Sequence, residues 1–219
     1  WWKLNATSVY TPSAPNYTTA LDFVASESDY IYLQDSTTNN FGFPNKTGSI
    51  SAWVKIDDLS AERPIASKRE TGSPGKRQWL FLIQDSKVRF YAYNTDFNQD
   101  ITTSNSTLST GQWYHIVVTL TSTQTKIYID GSLDEPYSNN YSSIQNDQAD
   151  LNIGRRGANA DIRYFDGLIS NVAIYNSTLT SSQVSTLFNF GTPETNISFN
   201  PQAWWKLDDQ TAITDSSNN

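Results

Sequence analysis

Apolar and polar residues alternate along most of this 219-residue chain, and turn-forming residues interrupt the alternation about every ten positions. Successive side chains of a β-strand point to opposite faces of the sheet, so a period of two predicts strands. The Asp130-Gly131 pair is typical of tight antiparallel hairpins. The chain is therefore expected to be all-β. The predicted strands are residues 20–25, 29–33, 48–56, 63–68, 78–84, 87–93, 112–121, 125–130, 150–155 and 167–176.

One segment, residues 179–190, departs from this alternation and has apolar residues near the spacing of a helix. These residues are Leu179, Val184, Leu187 and Phe188. Thr180 or Ser181 can cap the start of this helix, and Gly191 can end it. Many strands with one short helix predict two packed sheets, that is, a sandwich or jelly roll.

The overall composition excludes several classes of partner. The formal net charge is −7 and the isoelectric point is about 4.6, which disfavours a protein that neutralises a nucleic-acid backbone. There is no Cys, and hence no disulfide scaffold, thiolate metal site or thiol nucleophile. The longest apolar runs, such as residues 79–83, are far shorter than the ~20 residues that span a bilayer. No nucleic-acid partner and no membrane insertion are expected.

Four stretches match the motifs of a known family in the right order. They read "ALDFVASESDYIYL" (20–33), "GSISAWVKI" (48–56), "GQWYHIVVTLTSTQTKIYIDGSL" (111–133) and "LNIGRR…FDGLISNVAIYNSTLTSSQVSTLFN" (151–189). Over about residues 20–190 the chain resembles the laminin G-like jelly-roll domain of the concanavalin A-like lectin/glucanase superfamily. The resemblance implies an all-β, two-sheet antiparallel jelly-roll sandwich with one short helix near the C-terminal end.

The tetrad Trp-Trp-Lys-Leu occurs twice, at residues 1–4 and 204–207. Members of the family commonly begin with such a strand, then an Asp- and Ser-rich loop, then the strand that reads ALDF here. The resemblance therefore implies a domain at residues 1–190, a linker at 191–203 and the start of a second, incomplete copy at 204–219. The alternative is that residues 204–207 pair as a terminal strand of the same sandwich.

A structural Ca²⁺ is held in many relatives by the loop that follows the opening strand, and it needs several oxygen ligands at once. The loop after residues 1–4 lacks the acidic residues that follow residues 204–207. Ser170 and Asn171 also stand where the family often has Asp and Glu. No metal is therefore expected in residues 1–190, and no cofactor is predicted.

The acidic residues do not form the pattern of a glycoside hydrolase. Laminarinase-type members of the superfamily need two or three carboxylates on one strand face. Here Asp130, Asp134 and Glu135 fall on a hairpin turn, and Asp57 and Asp58 lie at a strand end. We interpret them as solvated turn residues, and no catalytic residue is predicted.

The single histidine, His115, lies in the predicted strand 112–121, whose two faces are both apolar. We interpret it as a structural histidine inside the sandwich. A catalytic imidazole would need a nucleophile or a carboxylate partner in a cleft.

Candidate ligand-binding residues come from one strand and two charged loops. Alternation in strand 87–93 puts Arg89, Tyr91 and Tyr93 on one face, and aromatic faces can stack on sugar rings. The loops 68–78 and 155–163 are rich in Arg, which can form bidentate contacts with sulfated or carboxylated glycans. The alternatives are an ordinary solvated sheet and scattered surface charges. The candidates are Arg69, Arg77, Arg89, Tyr91, Tyr93, Arg155, Arg156, Asn159, Asp161 and Arg163.

Seven Asn-x-Ser/Thr sequons are candidate N-glycosylation sites: Asn5, Asn16, Asn45, Asn105, Asn140, Asn176 and Asn196. The predicted function is a non-enzymatic adhesion or surface-display module of a multi-repeat protein on an extracellular, cell or virion surface. Its partners would be a glycan or a surface protein, bound through rim loops, and neighbouring copies of the same domain. The alternative is a purely architectural repeat or filament subunit.

Overall fold

The computed structural model describes residues 2–4, 8–10, 20–35, 40–71, 76–146, 148–159, 162–193, 196–197 and 199–208. Within these residues the chain forms sixteen β-strands and one α-helix, α1 (Ser181–Phe188). The strands are β1 (Trp2–Leu4), β2 (Ser8–Tyr10), β3 (Ala20–Phe23), β4 (Ile31–Leu33), β5 (Gly48–Ile56), β6 (Arg63–Thr71), β7 (Lys76–Gln84), β8 (Lys87–Tyr93), β9 (Gln99–Thr103), β10 (Trp113–Leu120), β11 (Gln124–Ile129), β12 (Ser132–Ser138), β13 (Leu151–Ile153), β14 (Ala158–Asn159), β15 (Gly167–Tyr175) and β16 (Ala203–Trp205).

The strands form two sheets, which we call the front and back sheets. The front sheet has the order β1-β4-β13-β6-β7-β8-β9, with β14 pairing in parallel with part of β6. The back sheet has the order β12-β11-β10-β5-β15-β3-β2, with β16 beside part of β15. The other strand pairs are antiparallel, and the predicted two-sheet jelly-roll sandwich is confirmed.

The main core lies between the sheets and follows directly from the alternation in the sequence. Trp79, Phe81 and Ile83 of β7 point inward and are fully buried. Their partners across the ladder in β8 are Ala92, Phe90 and Val88, which share the same face. Burial of these apolar side chains is the main driving force for packing the two sheets together.

The helix α1 covers the outer face of the back sheet. Thr180 caps its start: the Thr180 hydroxyl accepts from the Gln183 N–H at 3.3 Å, and the Gln183 side-chain oxygen accepts from the Thr180 N–H at 2.9 Å. The helix ends at Asn189, which is left-handed with a φ of 44°, and not at the predicted Gly191. Among the described residues no helix is long and apolar enough to cross a bilayer.

Several predicted element bounds change for identifiable reasons. The predicted strands 48–56 and 87–93 have the observed bounds of β5 and β8. Strands β9 and β12 were not predicted, because their sequences are polar and each lies at the edge of a sheet. The predicted loop 68–78 is largely strand, since β6 extends to Thr71 and β7 begins at Lys76.

The second Trp-Trp-Lys-Leu tetrad lies in this sandwich. In β16, Trp205 is paired with Val172 and Trp204 with Ala173, and both indoles are buried. This arrangement corresponds to the alternative in which residues 204–207 form a strand of the same domain. That these residues also open a second copy stays a prediction.

Candidate functional site

The outer face of the front sheet carries most of the predicted ligand-binding residues. Because Val88, Phe90 and Ala92 point into the core, the alternate residues of β8, Arg89, Tyr91 and Tyr93, point outward. A register shift in the pairing of β6 with β7 falls between Lys68 and Arg69. Lys68 is fully buried and forms an ion pair with Asp35, whereas the next residue of the strand, Arg69, points to the outer face.

Tyr93 is the centre of this face. The Arg69 guanidinium donates a hydrogen bond to the Tyr93 hydroxyl at 3.4 Å, and its central carbon lies 5.7 Å from the ring centroid. The ring of Tyr91 stacks beside that of Tyr93, with centroids 6.4 Å apart and planes within 18°. Tyr93 is 4% exposed and Tyr91 is half-buried, so Tyr91 presents the accessible ring.

The charges of three guanidinium groups act on Tyr93, and Arg69 contacts it directly. Burial raises the pKa of the Tyr93 phenol, and the positive charges of Arg69, Arg156 and Arg77 each act in the opposite direction. Arg77 also lies 5.8 Å from the ring centroid of Phe97. We call Arg69, Arg77, Arg156, Tyr91 and Tyr93 the Arg–Tyr cluster.

The backbone turn Gly154–Gly157 brings Arg156 into the Arg–Tyr cluster. This turn lies across β6: the Ser67 hydroxyl donates to the Arg155 carbonyl at 2.9 Å. Gly157 has a φ of 153°, and a Cβ there would lie 2.4 Å from the Arg69 carbonyl oxygen. Only glycine therefore permits the turn to approach β6 so closely.

Two carboxylates partly balance the positive charge of this face. Arg156 forms an ion pair with Glu62, and both side chains remain about one-fifth exposed. Arg89 donates to Asp85 at 2.7 Å and to Gln84 at 2.8 Å. The same Gln84 oxygen accepts a hydrogen bond from the Tyr91 hydroxyl at 3.2 Å, so Arg89 and Tyr91 are held in place together.

Arg155 lies on the other side of the same turn, against a group of tyrosines. Its guanidinium carbon is 3.7 Å from the ring centroid of Tyr30, and its Nε donates to Asn152 at 3.1 Å. The ring of Tyr30 is 6.4 Å from that of Tyr32 and 6.3 Å from that of Tyr164. Arg155 therefore has its own aromatic surroundings, next to the Arg–Tyr cluster.

The remaining predicted ligand-binding residues have different positions. Arg163 is exposed, and its side chain donates one hydrogen bond to the Ile162 carbonyl at 2.9 Å. Its backbone carbonyl accepts from the Arg156 N–H at 3.0 Å. Asn159 pairs with Thr71 through the backbone of β14, and Asp161 lies outside the described residues. Whether any of the ten residues binds a ligand stays a prediction.

Sequence reasoning missed the tyrosines around Arg155. Tyr30 and Tyr32 alternate with the buried Ile31 and Leu33, and this period of two could have placed them on the outer face. Tyr164 follows no repeating pattern, because it lies in an irregular connection between β14 and β15. No sequence signal could have placed it beside Tyr30.

The outer face of the back sheet is apolar and lies beneath α1, and it contains His115. The imidazole lies between Trp53, with centroids 5.0 Å apart, and Phe188 of α1, 6.2 Å away. Its Nε2 is 2.9 Å from the Ser51 hydroxyl, and burial lowers the pKa of His115 to about 3. It is thus buried as a neutral group, between the back sheet and α1 and not between the two sheets.

The acidic turn residues are held in structural hydrogen bonds. Asp130 accepts from the His115 backbone N–H at 2.9 Å. Asp134 accepts from the Asn105 backbone N–H at 2.6 Å and from that of Ser106 at 3.2 Å. Among the described residues, no cluster of three or more His, Asp or Glu side chains is arranged to hold a metal ion.

Five of the seven sequons lie in the described part of the chain, and they divide into two groups. All five asparagines are exposed, and the side-chain amides of two of them donate hydrogen bonds within the domain. The side-chain amide of Asn140 donates to Asp100 at 2.8 Å and to the Tyr137 hydroxyl at 2.9 Å, and that of Asn105 donates to the Asp134 carbonyl at 3.1 Å. Asn5 and Asn16 lie outside the described residues, and glycosylation stays a prediction.

Comparison with protein families identifies the chain. The model of the laminin G-like family Laminin_G_3, described as the concanavalin A-like lectin/glucanases superfamily, matches residues 25–185. The chain belongs to this family. The match confirms the resemblance drawn from the strand motifs. A comparison with curated protein sequences found no match.

Solved structures with the same laminin G-like fold include several binding domains. A Bacteroides ovatus protein described as a candidate carbohydrate-binding protein has a TM-score of 0.70 and 18% identity, over 92% of this chain and 56% of its own. The ligand-binding domain of botulinum neurotoxin serotype D, in complex with N-acetylneuraminic acid, has a TM-score of 0.64 and 16% identity, over 87% and 46%.

Domain 4 of AbnA, an extracellular GH43 arabinanase from Geobacillus stearothermophilus in complex with arabinotriose, has a TM-score of 0.61 and 18% identity, over 85% of this chain and 87% of its own. This chain spans about half the length of the neurotoxin domains, with 46% coverage for serotypes G and D. At these identities the likeness shows the laminin G-like fold alone.

Proposed function

We propose that this laminin G-like domain is a non-enzymatic, extracellular binding module that recognises a carboxylated or sulfated glycan. The binding surface is the outer face of the front sheet. The observation that carries this proposal is the convergence of Arg69, Arg77 and Arg156 on Tyr93, beside the accessible ring of Tyr91. Of the two predicted rim loops, 155–163 contributes Arg156, whereas Arg69 and Arg77 of the predicted loop 68–78 lie in strands β6 and β7 and belong to the sheet face.

The chemistry of the cluster favours an anionic sugar. Guanidinium groups bind carboxylate and sulfate through paired hydrogen bonds, which are stronger than neutral ones. A tyrosine ring supplies a flat apolar surface for the face of a sugar ring, and its hydroxyl supplies a polar contact. Arg156 and Tyr91 are both partly exposed, so a ligand can reach an Arg and an aromatic ring on one surface.

The comparisons support the choice of ligand class without deciding it. The structures of the neurotoxin D domain and of the arabinanase domain are complexes with carbohydrates, and N-acetylneuraminic acid carries a carboxylate. The extracellular location of the arabinanase also supports an extracellular location for this domain. Adhesion and surface display, including display on a virion, are the settings in which such a module would act.

A glycan array that contains neutral, carboxylated and sulfated glycans tests the proposal. We expect binding to acidic glycans, weakened by added salt because the contacts are between charges. In a titration with the strongest ligand, Arg156→Gln should reduce affinity at least about tenfold, the effect of losing a hydrogen bond between charged groups. Arg163→Gln is the matched control, since it removes the same charge from an exposed side chain outside the cluster.

Two results would count against this function. Binding to neutral glycans with no preference for acidic ones would show that the charges of the arginines do not determine recognition. Equal losses of affinity for Arg156→Gln and Arg163→Gln would show that the binding surface is elsewhere.

A second candidate function is architectural, as a repeat or filament subunit whose contacts are with neighbouring copies. The repeated Trp-Trp-Lys-Leu tetrad favours it, because a sequence that recurs at the spacing of a whole domain is typical of tandem copies. Ordered self-assembly of the purified chain, together with an array on which no glycan binds, would support this function and contradict the first.

A further inference from the structure

The second tetrad fills a defined position in the back sheet. Strand β15 pairs along its first half with β3, through residues 167–169, and along its second half with β16, through residues 172–174. Both β3 and β16 are antiparallel to β15, so β16 lies in line with β3 and points toward its start. We call the position beside residues 170–174 of β15 the tetrad slot.

Each residue of the second tetrad has its own contacts in the tetrad slot. Trp204 packs under α1, and its indole N–H donates to the Asn171 side chain at 3.0 Å. Trp205 is fully buried in the main core, edge-on to Phe41 at 5.5 Å. The Lys206 ammonium group lies 4.8 Å from the Trp204 ring, and Leu207 is buried in the main core.

The backbone of the slot is equally specific. Asn171 is left-handed, with a φ of 48°, at an irregularity in the pairing of β15 with β5. This irregularity allows both the Asn171 N–H and the Ser170 hydroxyl to donate to the Lys206 carbonyl, each at 3.0 Å. The slot therefore favours two Trp residues, then a residue whose long side chain can lie over the first indole ring, and then Leu.

The chain contains this sequence a second time, at residues 1–4. In the structure the backbone of Trp2–Leu4 pairs with β4, at the edge of the front sheet. Only residues 5–7 separate this tetrad from β2, which pairs with β3 in the back sheet, so Leu4 lies within about 14 Å of Ser8. If residues 1–4 occupy the slot in the direction that β16 has, Leu4 lies nearest to the start of β3.

We propose that the tetrad slot accepts Trp1–Leu4 of the same chain in place of Trp204–Leu207. The two segments have identical side chains, so the contacts made in the slot are the same for both. When the first tetrad occupies the slot, the second is released and is free to pair with another surface. This inference is independent of glycan binding by the front sheet.

Engineered disulfides test the proposal cleanly, because the natural chain has no Cys. The variant Asn171→Cys/Lys206→Cys reports the observed occupant, since these residues lie opposite each other. The variant Asn171→Cys/Lys3→Cys reports the proposed occupant, because Lys3 takes the place of Lys206 in the tetrad. The two variants are matched, since both lose the Asn171 side chain, and the cross-linked peptides are identified by mass spectrometry.

We expect both variants to form a disulfide within a single chain. Adding Trp204→Ala and Trp205→Ala should raise the yield of the Lys3→Cys cross-link several-fold, and adding Trp2→Ala instead should lower it. The cross-links in the variants that retain all four Trp give an answer even if the Ala variants do not fold.

The proposal is overturned if Lys3→Cys gives no cross-link to position 171 in the folded protein while Lys206→Cys does. A cross-link from Lys3→Cys that forms only between two chains would also overturn it. That result would assign the slot to the first tetrad of a second copy.

Discussion

The two outer faces of this sandwich are built in opposite ways. The outer face of the back sheet is covered by α1, and its side chains, such as Val117 and Ala173, are fully buried in an apolar cluster. The outer face of the front sheet has no helix over it among the described residues, and it holds guanidinium groups and tyrosines. One face is buried beneath a helix, and the other is the surface to which we assign recognition in our proposal. Substitutions on the two faces should separate stability from recognition.

The largest effect is expected beneath α1. Trp53 is 3% exposed, and its ring stacks on Phe188 and packs at a tilt against His115. Trp53→Ala should lower the free energy of unfolding by about 3–5 kcal/mol, through the loss of burial and the cavity left behind. Chemical denaturation measures this change. Phe190→Ala is the matched control, because Phe190 is 97% exposed and its loss should cost little. A similar cost for both variants would contradict the assignment of α1 and its contacts to the stable layer.

The next largest effect is the pH dependence of stability that comes from His115 in the back sheet. Burial lowers the pKa of His115 from 6.5 to about 3, so the unfolded chain binds a proton that the folded chain does not. This contribution to stability is intact above about pH 6.5 and decreases as the pH falls toward 3, by about 1.4 kcal/mol per pH unit. The free energy of unfolding should therefore fall by about 2 kcal/mol between pH 6.5 and 5.

The histidine variant provides the control for this prediction. His115 is the single His of the chain, so His115→Gln should remove most of this pH dependence whatever its effect on stability at neutral pH. Denaturation curves of both proteins across this range make the comparison. An unchanged pH dependence in the variant would show that His115 is protonated equally in the folded and unfolded states.

The smallest effect on stability is expected on the front sheet. Tyr91 is half-buried, and its ring stacks beside Tyr93 on the outer face. Tyr91→Ala should change the free energy of unfolding by less than about 1.5 kcal/mol, because little buried area is lost. It should nevertheless reduce glycan affinity at least about tenfold, through the loss of the aromatic surface. Denaturation and glycan titration of the same variant measure both quantities, and a large loss of stability without loss of binding would reverse the roles of the two faces.

The sequence predicted the sandwich well because alternation records which side chains are buried. The strand 87–93 shows this clearly: its period of two placed Arg89, Tyr91 and Tyr93 together on the outer face, as observed. The family motifs gave the order of the elements, and the match over residues 25–185 confirms them.

The composition of the Arg–Tyr cluster was less accessible to sequence reasoning. The outer-face position of Arg77, on a strand whose Trp79 points inward, depends on a register shift that leaves Gln78 of β7 without a partner in β6 and that has no sequence signature here. Arg156 reaches the cluster through the turn Gly154–Gly157, whose path is set by contacts with residues far away in sequence. The sequence likewise left the position of residues 204–207 open, because one tetrad sequence suits two places in the chain.

The most direct test of the central claim is a two-dimensional amide NMR titration with the acidic glycan that binds best on the array. We predict that the largest shifts occur at residues of the Arg–Tyr cluster, with Tyr91, Tyr93 and Arg156 foremost, while the amides of α1 remain unchanged. Shifts centred on α1 or the back sheet, or no shifts with any acidic glycan at millimolar concentration, would contradict the assignment of recognition to the front sheet.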